Sequence, residues 1–175
     1  MSRLENLLGA QALAVTDRLL TADGDGESSL SASERAALVT LYTYPDHLVS
    51  WLGGVLGLTS SGITRLVDRL ETAGWVTRTT GSDARCRRVG LTPAGRSRAH
   101  AALHARNAAM AELLGPLSEP DRRELERLFE LLVGNLAETR LPALQVCRLC
   151  DRSVCNAGAN KCPLAHTVTT EDDDD

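Results

Sequence analysis

The segment that most constrains the fold is residues 59–92, TSSGITRLVDRLETAGWVTRTTGSDARCRRVGLT. Its first half places four apolar residues at the i, i+3, i+4 and i+7 spacing of one helix face, namely Ile63, Leu66, Val67 and Leu70. Thr59 is a residue type that caps the start of a helix, and Gly74 is a residue type that ends one. The segment therefore predicts a helix with a buried apolar back and a polar, partly basic front.

A β-hairpin is predicted directly after this helix. Residues 75–80 and 86–91 contain β-forming residues, and a turn-forming run that includes Gly, Ser and Asp lies between them. Residues 59–98 contain eight arginines and three acidic residues, a local net charge of +5, whereas the whole chain has a net charge of −4. A basic patch on an otherwise acidic protein is typical of a nucleic-acid site.

The predicted helix and hairpin together suit a DNA duplex. A helix with a polar front fits the major groove, and an arginine-rich hairpin can reach the flanking backbone or the minor groove. The alternative is an ordinary amphipathic helix and hairpin whose arginines are only solvated. Because the charge, the apolar stripe and the hairpin coincide in one segment, the pattern favours DNA binding.

Residues 58–96 resemble the winged helix-turn-helix of the MarR (multiple antibiotic resistance regulator) transcription factors, and the likeness covers about residues 30–137. Its most specific pieces are SSGITRLVDRLETAGWV, the wing sequence Asp83-Ala84-Arg85, and the Leu-Thr-Pro-Ala-Gly that follows. The resemblance implies that Arg85 enters the minor groove from the wing tip and is held there by Asp83. It also implies a homodimer and a pseudo-palindromic operator, with half-sites about 34 Å apart.

The candidate DNA-binding residues combine the polar helix front with the hairpin. They are Thr59, Ser60, Ser61, Thr64, Arg65, Arg69, Asp83, Arg85, Arg87 and Arg88. The resemblance implies that four of them, Ser60, Ser61, Thr64 and Arg65, face the major groove. It further implies that a small aromatic acid binds between the two layers of the protein, with Tyr42, Tyr44 and Trp51 as candidate lining residues.

The predicted fold is mainly α with a small β-hairpin wing, a winged helix-turn-helix domain joined to a helical dimerisation layer. Helix starts are indicated by a capping box from Ser31 to Glu34, by Asp46, by Thr92-Pro93 and by Ser118, with the last helix ending near Thr139. The domains are an N-terminal dimerisation helix and linker (1–26), the winged helix-turn-helix (30–92), C-terminal dimerisation helices (93–140), a cysteine-rich metal-binding segment (141–166) and an acidic disordered tail (167–175).

Composition supports a helical protein of the cytoplasm. Hydrophobic residues make up 43% of the chain but aromatic residues only 3%, so the core is built from Leu, Ala and Val, which suit helices. No apolar run reaches the length of a membrane span, and the N-terminus does not read as a signal peptide. In a cytoplasmic protein, clustered cysteines are metal ligands more often than disulfides.

Four of the five cysteines lie within sixteen residues, spaced C-x2-C-x4-C-x6-C-P: Cys147, Cys150, Cys155 and Cys162. Four thiolates so close in sequence can surround one metal centre with little loop-closure cost. The site is compatible with structural zinc and with an iron–sulfur cluster, with a slight preference for the cluster. Chance clustering of inert thiols is the alternative.

Cys86 is separate and lies between two wing arginines. A small inert strand residue is expected there more than a redox-active thiol.

These observations predict a dimeric, sequence-specific transcriptional regulator, more often a repressor in the resembling family. Its DNA affinity is expected to respond to a small ligand or to the redox or metal state of the four cysteines. An enzyme is not expected, because the chain has no Gly-rich phosphate loop, no G-x-S-x-G and no HExxH motif. The alternative is a metal-dependent assembly module that binds protein instead of DNA, and it predicts no salt-dependent affinity for a duplex.

Overall fold

The computed structural model describes residues 2–21, 29–80, 87–158 and 161–168. The helices in these ranges are α1 (Arg3–Thr21), α2 (Ala32–Thr43), α3 (Val49–Leu56), α4 (Ser60–Thr72), α5 (Pro93–Leu114), α6 (Glu119–Gly134), α7 (Arg140–Cys147) and α8 (Arg152–Cys155). The strands are β1 (His47–Leu48), β2 (Val76–Thr80) and β3 (Arg87–Leu91), and a 3-10 helix covers Ala165–Thr167. The predicted fold class, mainly α with a small β wing, is confirmed.

Several helix starts follow the capping residues that the sequence predicts. Ser31 and Glu34 form a reciprocal capping box at the start of α2. Thr59 and Thr92 cap α4 and α5, and each side chain accepts a hydrogen bond from a backbone N–H in the first turn. α6 starts after Ser118 as predicted, but it ends at Gly134, before the predicted end near residue 139.

The strands form one antiparallel sheet in the order β1-β3-β2. β2 and β3 pair over five residues each, from Val76 opposite Leu91 to Thr80 opposite Arg87, and these are the two predicted hairpin strands. The third strand, β1, lies on the other side of β3. The wing is therefore joined along one edge to the segment that precedes α3.

The prediction that Asp46 caps α3 is wrong. The N-cap is Leu48, which makes no side-chain capping bond, and Asp46 has a φ of 62°. The two residues that follow Asp46 pair with Arg88 and Val89 of β3 before the helix begins. Pairing with a distant strand therefore replaced the local cap that the sequence favours.

The main hydrophobic core lies between α2, α3, α4, the sheet and α5. It is built from Leu, Val, Ile and Ala side chains, as the low aromatic content predicts. Fully buried members include Leu38 of α2, Leu52 of α3, Leu66 and Leu70 of α4, and Val89 of β3. One core thus holds both the back of α4 and the centre of the wing, which fixes their relative position.

Two adjacent glycines allow close packing on α3. A Cβ atom on Gly53 would lie 3.2 Å from Cγ2 of Ile63 in α4, and a Cβ atom on Gly54 would lie 3.4 Å from Cδ1 of Leu141 in α7. Gln145 of α7 also donates a hydrogen bond from Nε2 to the Gly54 carbonyl at 3.0 Å. α3 is therefore packed against both α4 and α7.

Helices α1 and α6 present exposed apolar faces. Neither helix contains a buried residue. The exposed apolar side chains include Leu4, Leu7, Leu8, Leu13 and Leu20 on α1, and Leu128, Phe129, Leu131 and Leu132 on α6. Contiguous faces of this kind mark interaction surfaces. In the described residues, no helix combines the length and the apolar character needed to cross a bilayer.

The C-terminal extension, residues 140–168, packs back on the end of α6. Ala137, Ala143 and Leu164 form a small buried cluster beside the main core. Both ring nitrogens of His166 lie 3.1 Å from backbone carbonyl oxygens, those of Pro163 and Ala137. Because Ala137 is buried in this cluster, the chain turns after Gly134, which explains the early end of α6.

Candidate functional site

The front of α4 is an exposed polar surface. Ile63, Leu66, Val67 and Leu70 are buried on its back, as predicted. The side chains on its other side are exposed, and they include Ser60, Ser61, Thr64, Arg65 and Arg69. The α4 front is defined here as these five residues together with the capping Thr59. The structure thus brings together all the DNA-binding candidates that lie before the wing.

Hydrogen bonds order the start of α4. The Thr59 hydroxyl accepts from the Gly62 N–H at 3.2 Å, and it lies 3.4 Å from the Ser61 hydroxyl. The Thr64 hydroxyl donates to the Ser60 carbonyl at 2.8 Å. Arg65 makes no hydrogen bond or ion pair with any residue that the structure describes, so its guanidinium is available to a ligand.

Arg69 is tied to the helix that lies beside α4. Its Nε donates to Oε1 of Glu34 at 3.3 Å, and the Arg69 side chain remains 58% exposed. Partial burial raises the pKa of Glu34, but the hydrogen bonds from Ser31 and the Arg69 guanidinium more than offset this, so the pKa lies below its ordinary value. Glu34 is therefore a carboxylate that both caps α2 and positions Arg69.

Arg78 is a structural residue that the sequence did not identify. Its guanidinium donates to Asp68 Oδ1 at 2.6 Å and to Glu71 Oε2 at 2.8 Å, and also to the Thr64 carbonyl at 3.3 Å. The Arg78 side chain is only 18% exposed. It joins β2 to α4 and pairs with two of the three acidic residues in the basic segment, Asp68 and Glu71.

The wing arginines are described only in part. Arg87 is exposed, while Arg88 donates from Nη1 to the Asp46 carbonyl at 2.7 Å. The predicted wing-tip residues Asp83 and Arg85, and also Cys86, lie outside the described residues. Their assignment therefore stays a prediction.

An aromatic cluster links the helix-turn-helix to the C-terminal extension. His47 stacks on Trp51 with ring centroids 4.0 Å apart, and Tyr44 meets both rings edge to face. Arg140 donates to the Tyr44 hydroxyl at 3.1 Å, and the guanidinium of Arg152 lies 5.0 Å from the Tyr44 ring centroid. Two cationic side chains of the extension, Arg140 and Arg152, therefore contact this aromatic cluster.

Burial within this cluster lowers the pKa of His47 below its ordinary value, Arg88 lowers it further, and Asp46 partly opposes the shift. His47 is therefore favoured in its neutral form. Of the three aromatic residues predicted to line a ligand cleft, Tyr44 and Trp51 are in contact, with centroids 5.6 Å apart. Tyr42 instead lines a separate cavity of about 200 Å³ beside His100 and Asp151.

The four C-terminal cysteines, Cys147, Cys150, Cys155 and Cys162, line one cavity of about 510 Å³. The cavity lies between α6 and the C-terminal extension, and its other walls are mostly apolar, with Leu125, Phe129 and Val133 among them. Within the described ranges, no three His, Cys, Asp or Glu side chains are grouped so that they could hold one metal ion. The structure thus brings the cysteines to one cavity but not to one point.

The thiols in this cavity differ in acidity. A hydrogen bond with Cys150 raises the pKa of Cys147. The same hydrogen bond lowers the pKa of Cys150 to about 6 despite burial, and the nearby charge of Arg106 favours the thiolate. Burial raises the pKa of Cys155. Of Cys147, Cys150 and Cys155, Cys150 is therefore the one whose thiolate is favoured.

Comparisons with known proteins agree with the geometry of the helix-turn-helix. A model of the MarR family matches residues 30–86. The transcriptional repressor MprA of Escherichia coli (strain K12) is 27% identical over 139 residues, which make up 78% of this chain and 76% of the repressor. A probable transcriptional regulator from Pseudomonas aeruginosa is 30% identical over 74% of this chain and 99% of that chain, with a TM-score of 0.56. The Mycobacterium tuberculosis MarR family protein Rv2887, solved in complex with DNA, is 26% identical over 75% of this chain and 98% of that chain, with a TM-score of 0.63.

Proposed function

Because the chain belongs to the MarR family of winged-helix transcriptional regulators, we propose that it is a homodimeric repressor that binds a pseudo-palindromic operator. The observation that most supports DNA binding is the α4 front, an exposed polar helix surface whose back is anchored in the main core. The relative MprA is a repressor, and the relative Rv2887 was solved with DNA.

In this proposal the start of α4 enters the major groove. Ser60, Ser61 and Thr64 are short hydroxyl side chains that can contact base edges or phosphates. Arg65 has the fork geometry that recognises guanine through two hydrogen bonds. The wing follows the adjacent backbone, where Arg87 contacts phosphates and Arg85 enters the minor groove.

We assign dimerisation to the apolar faces of α1 and α6. Each fully buried leucine or phenylalanine contributes roughly 1.5–3 kcal/mol, so the exposed side chains on these helices provide a large driving force for association with a second copy. The second copy would bring a second α4 to the DNA, one helical turn or about 34 Å away. Light scattering combined with size-exclusion chromatography tests this assignment, and a monomer at micromolar concentration would overturn it.

The proposed repressor responds to the cell through a small ligand or through the state of the four C-terminal cysteines, whose cofactor would be an iron–sulfur cluster or zinc. A metal-dependent assembly module that binds no DNA is the competing function. The observation that supports this competing function is the cysteine cavity. A metal bound there would need no contact with DNA. The two functions differ in one measurable property, because only a DNA-binding protein has an affinity for duplex that falls as salt increases.

The test is binding to a duplex selected from a random library by the wild-type protein, measured by fluorescence anisotropy at several salt concentrations. We expect Arg65→Ala to weaken binding by about 1–3 kcal/mol and to relax the preference at one base pair. Arg85→Ala should weaken binding to all sequences and reduce the salt slope by about one. The control is Arg127→Ala on α6, because Arg127 pairs with no residue other than the exposed Glu124 in the part of the chain that the structure describes.

Selection of no duplex would refute DNA binding. If a duplex is selected but the two variants bind it as tightly as the control does, then α4 and the wing are not the DNA-binding elements.

A further inference from the structure

The cavity that contains the four C-terminal cysteines is built from two separate parts of the chain. α6 supplies Leu125, Phe129 and Val133 on one side, and the C-terminal extension supplies the cysteines on the other. The walls are largely apolar, and the cavity opens to solvent where Phe129, Val154 and Cys155 are exposed. At about 510 Å³, the cavity is far larger than a single metal ion needs.

The arrangement of the thiols favours a group of several atoms over one ion. In a structural zinc site four sulfurs lie about 2.3 Å from one centre, so they must converge on a point. In a cubane-type iron–sulfur cluster each thiolate binds a different iron, so the four sulfurs surround a larger body. Cys147 and Cys150 are hydrogen-bonded to each other, but no three of the four sulfurs form a ligand group for one ion among the described residues, and all four line the same cavity.

Charged side chains of both signs line the cavity, Arg122 and Lys161 together with Glu126 and Glu130. A cluster held by four thiolates is anionic, and Arg122 and Lys161 are the lining side chains that would oppose its charge.

We propose that Cys147, Cys150, Cys155 and Cys162 ligate one iron–sulfur cluster in this cavity, between α6 and the C-terminal extension. The existence of the site does not depend on DNA binding, whereas its regulatory effect rests on the proposed function.

The route from this site to DNA is short. Cys147 is the last residue of α7, and α7 packs on α3 through Leu141 and Gln145, both of which contact Gly54. Thr40 of α2 donates to the backbone carbonyl of Arg148, the residue that follows Cys147. Ligation of Cys147 therefore holds α7 on the helix-turn-helix, and loss of the cluster releases this contact and changes DNA affinity.

The first experiment measures the cofactor directly. The full-length protein is purified without oxygen and reconstituted with ferrous iron and sulfide, and then iron, acid-labile sulfide and zinc per chain are measured together with the visible absorption spectrum. We expect a brown protein with about four iron and four sulfide per chain. A colourless protein with one zinc per chain, or a protein that retains no metal, would overturn the proposal.

Variants identify the ligands. Cys147→Ser, Cys150→Ser, Cys155→Ser and Cys162→Ser should each lose most of the bound iron, whereas Cys86→Ser should retain it. Far-ultraviolet circular dichroism and the elution volume show whether each variant is folded, so that loss of iron in a folded variant is informative. Retention of iron in all four folded variants would exclude these cysteines.

The last measurement separates the site from the proposed function. DNA binding is compared between the loaded and the metal-free protein by anisotropy under nitrogen. A change in Kd of at least tenfold supports regulation through α7. Equal affinities would refute the regulatory effect but not the cluster. Binding by neither form would refute the proposed repressor and leave the cluster supported by its iron and sulfide content.

Discussion

A Cβ atom on Gly95 would lie 1.9 Å from the backbone carbonyl oxygen of Trp75. That oxygen also accepts a hydrogen bond from the Thr92 N–H at 3.0 Å. The first turn of α5 therefore lies directly on the start of β2, and this contact positions the wing relative to the long helix that carries it. Only glycine leaves room for it.

Replacement of Gly95 by alanine should therefore destabilise the fold. The new methyl group meets backbone atoms, which cannot rotate away, so we expect a loss of at least about 1–3 kcal/mol in the free energy of unfolding. Gly9→Ala is the control, because a Cβ on Gly9 of α1 has no heavy atom within 4 Å. Urea denaturation followed by circular dichroism measures both variants. Equal stability of Gly95→Ala and the wild type would show that the α5 contact is looser than described.

The glycine pair of α3 supports a second prediction. Alanine in place of helical glycine stabilises by roughly 0.5–1 kcal/mol when there is space for the methyl group. Gly54→Ala meets Leu141 at an ordinary contact distance of 3.4 Å and should gain this stability. Gly53→Ala meets Ile63 at 3.2 Å and must displace it, so it should be less stable than Gly54→Ala. The Tm values of the two variants provide the comparison, and the reverse order would contradict the described α3–α4 packing.

Arg78 allows a test of how β2 is joined to α4. Arg78→Gln removes the charge that Asp68 and Glu71 share, and we expect a loss of about 1–2 kcal/mol in stability because the pairing is partly shielded from water. The two released carboxylates also lie near the α4 front, where they repel phosphates, so DNA affinity should fall. Arg127→Gln, which breaks an exposed pair with Glu124, is the matched control. If both variants have the same stability, Arg78 does not link the two elements.

The pH dependence of stability should include a contribution from His47. Its pKa in the folded protein lies below its ordinary value because of burial against Trp51 and the charge of Arg88, with Asp46 opposing. The unfolded chain therefore binds this proton more readily, so the contribution of His47 is fully present above about pH 6.5 and is lost as the pH falls through the folded pKa. His47→Gln should show a smaller decrease in Tm between pH 7 and pH 5 than the wild type. Parallel curves would show that His47 does not contribute.

The elements that the sequence predicted correctly are those set by local chemistry. Thr59 begins α4, the apolar stripe of α4 is buried, and Thr92 begins α5, because side-chain capping and helical periodicity act within a few residues. β1 escaped prediction because it is a two-residue strand whose stability comes from pairing with β3, about forty residues later. The error at Asp46 has the same origin.

The candidate site was predictable to a similar degree. Exposure of Thr64 and Arg65 follows from their positions between apolar residues on α4. The ion pairs of Arg78 could not be read from spacing, since they join a strand to a helix through a side chain whose direction depends on the tertiary fold. The cysteine spacing predicted one shared site, but the apolar wall contributed by α6 emerges only when the chain folds back.

Helix α3 packs against two parts of the chain at once, and this limits which parts can be exchanged independently. Its eight residues span about 12 Å, and they meet α4 through Gly53 and the C-terminal extension through Gly54. A truncated chain ending at residue 139 would uncover an apolar strip at Gly54 and remove the Gln145 bond to its carbonyl. The extension is thus part of the packing of the winged domain. A chimaera that receives the extension of another regulator must also receive the α3 surface that matches that extension.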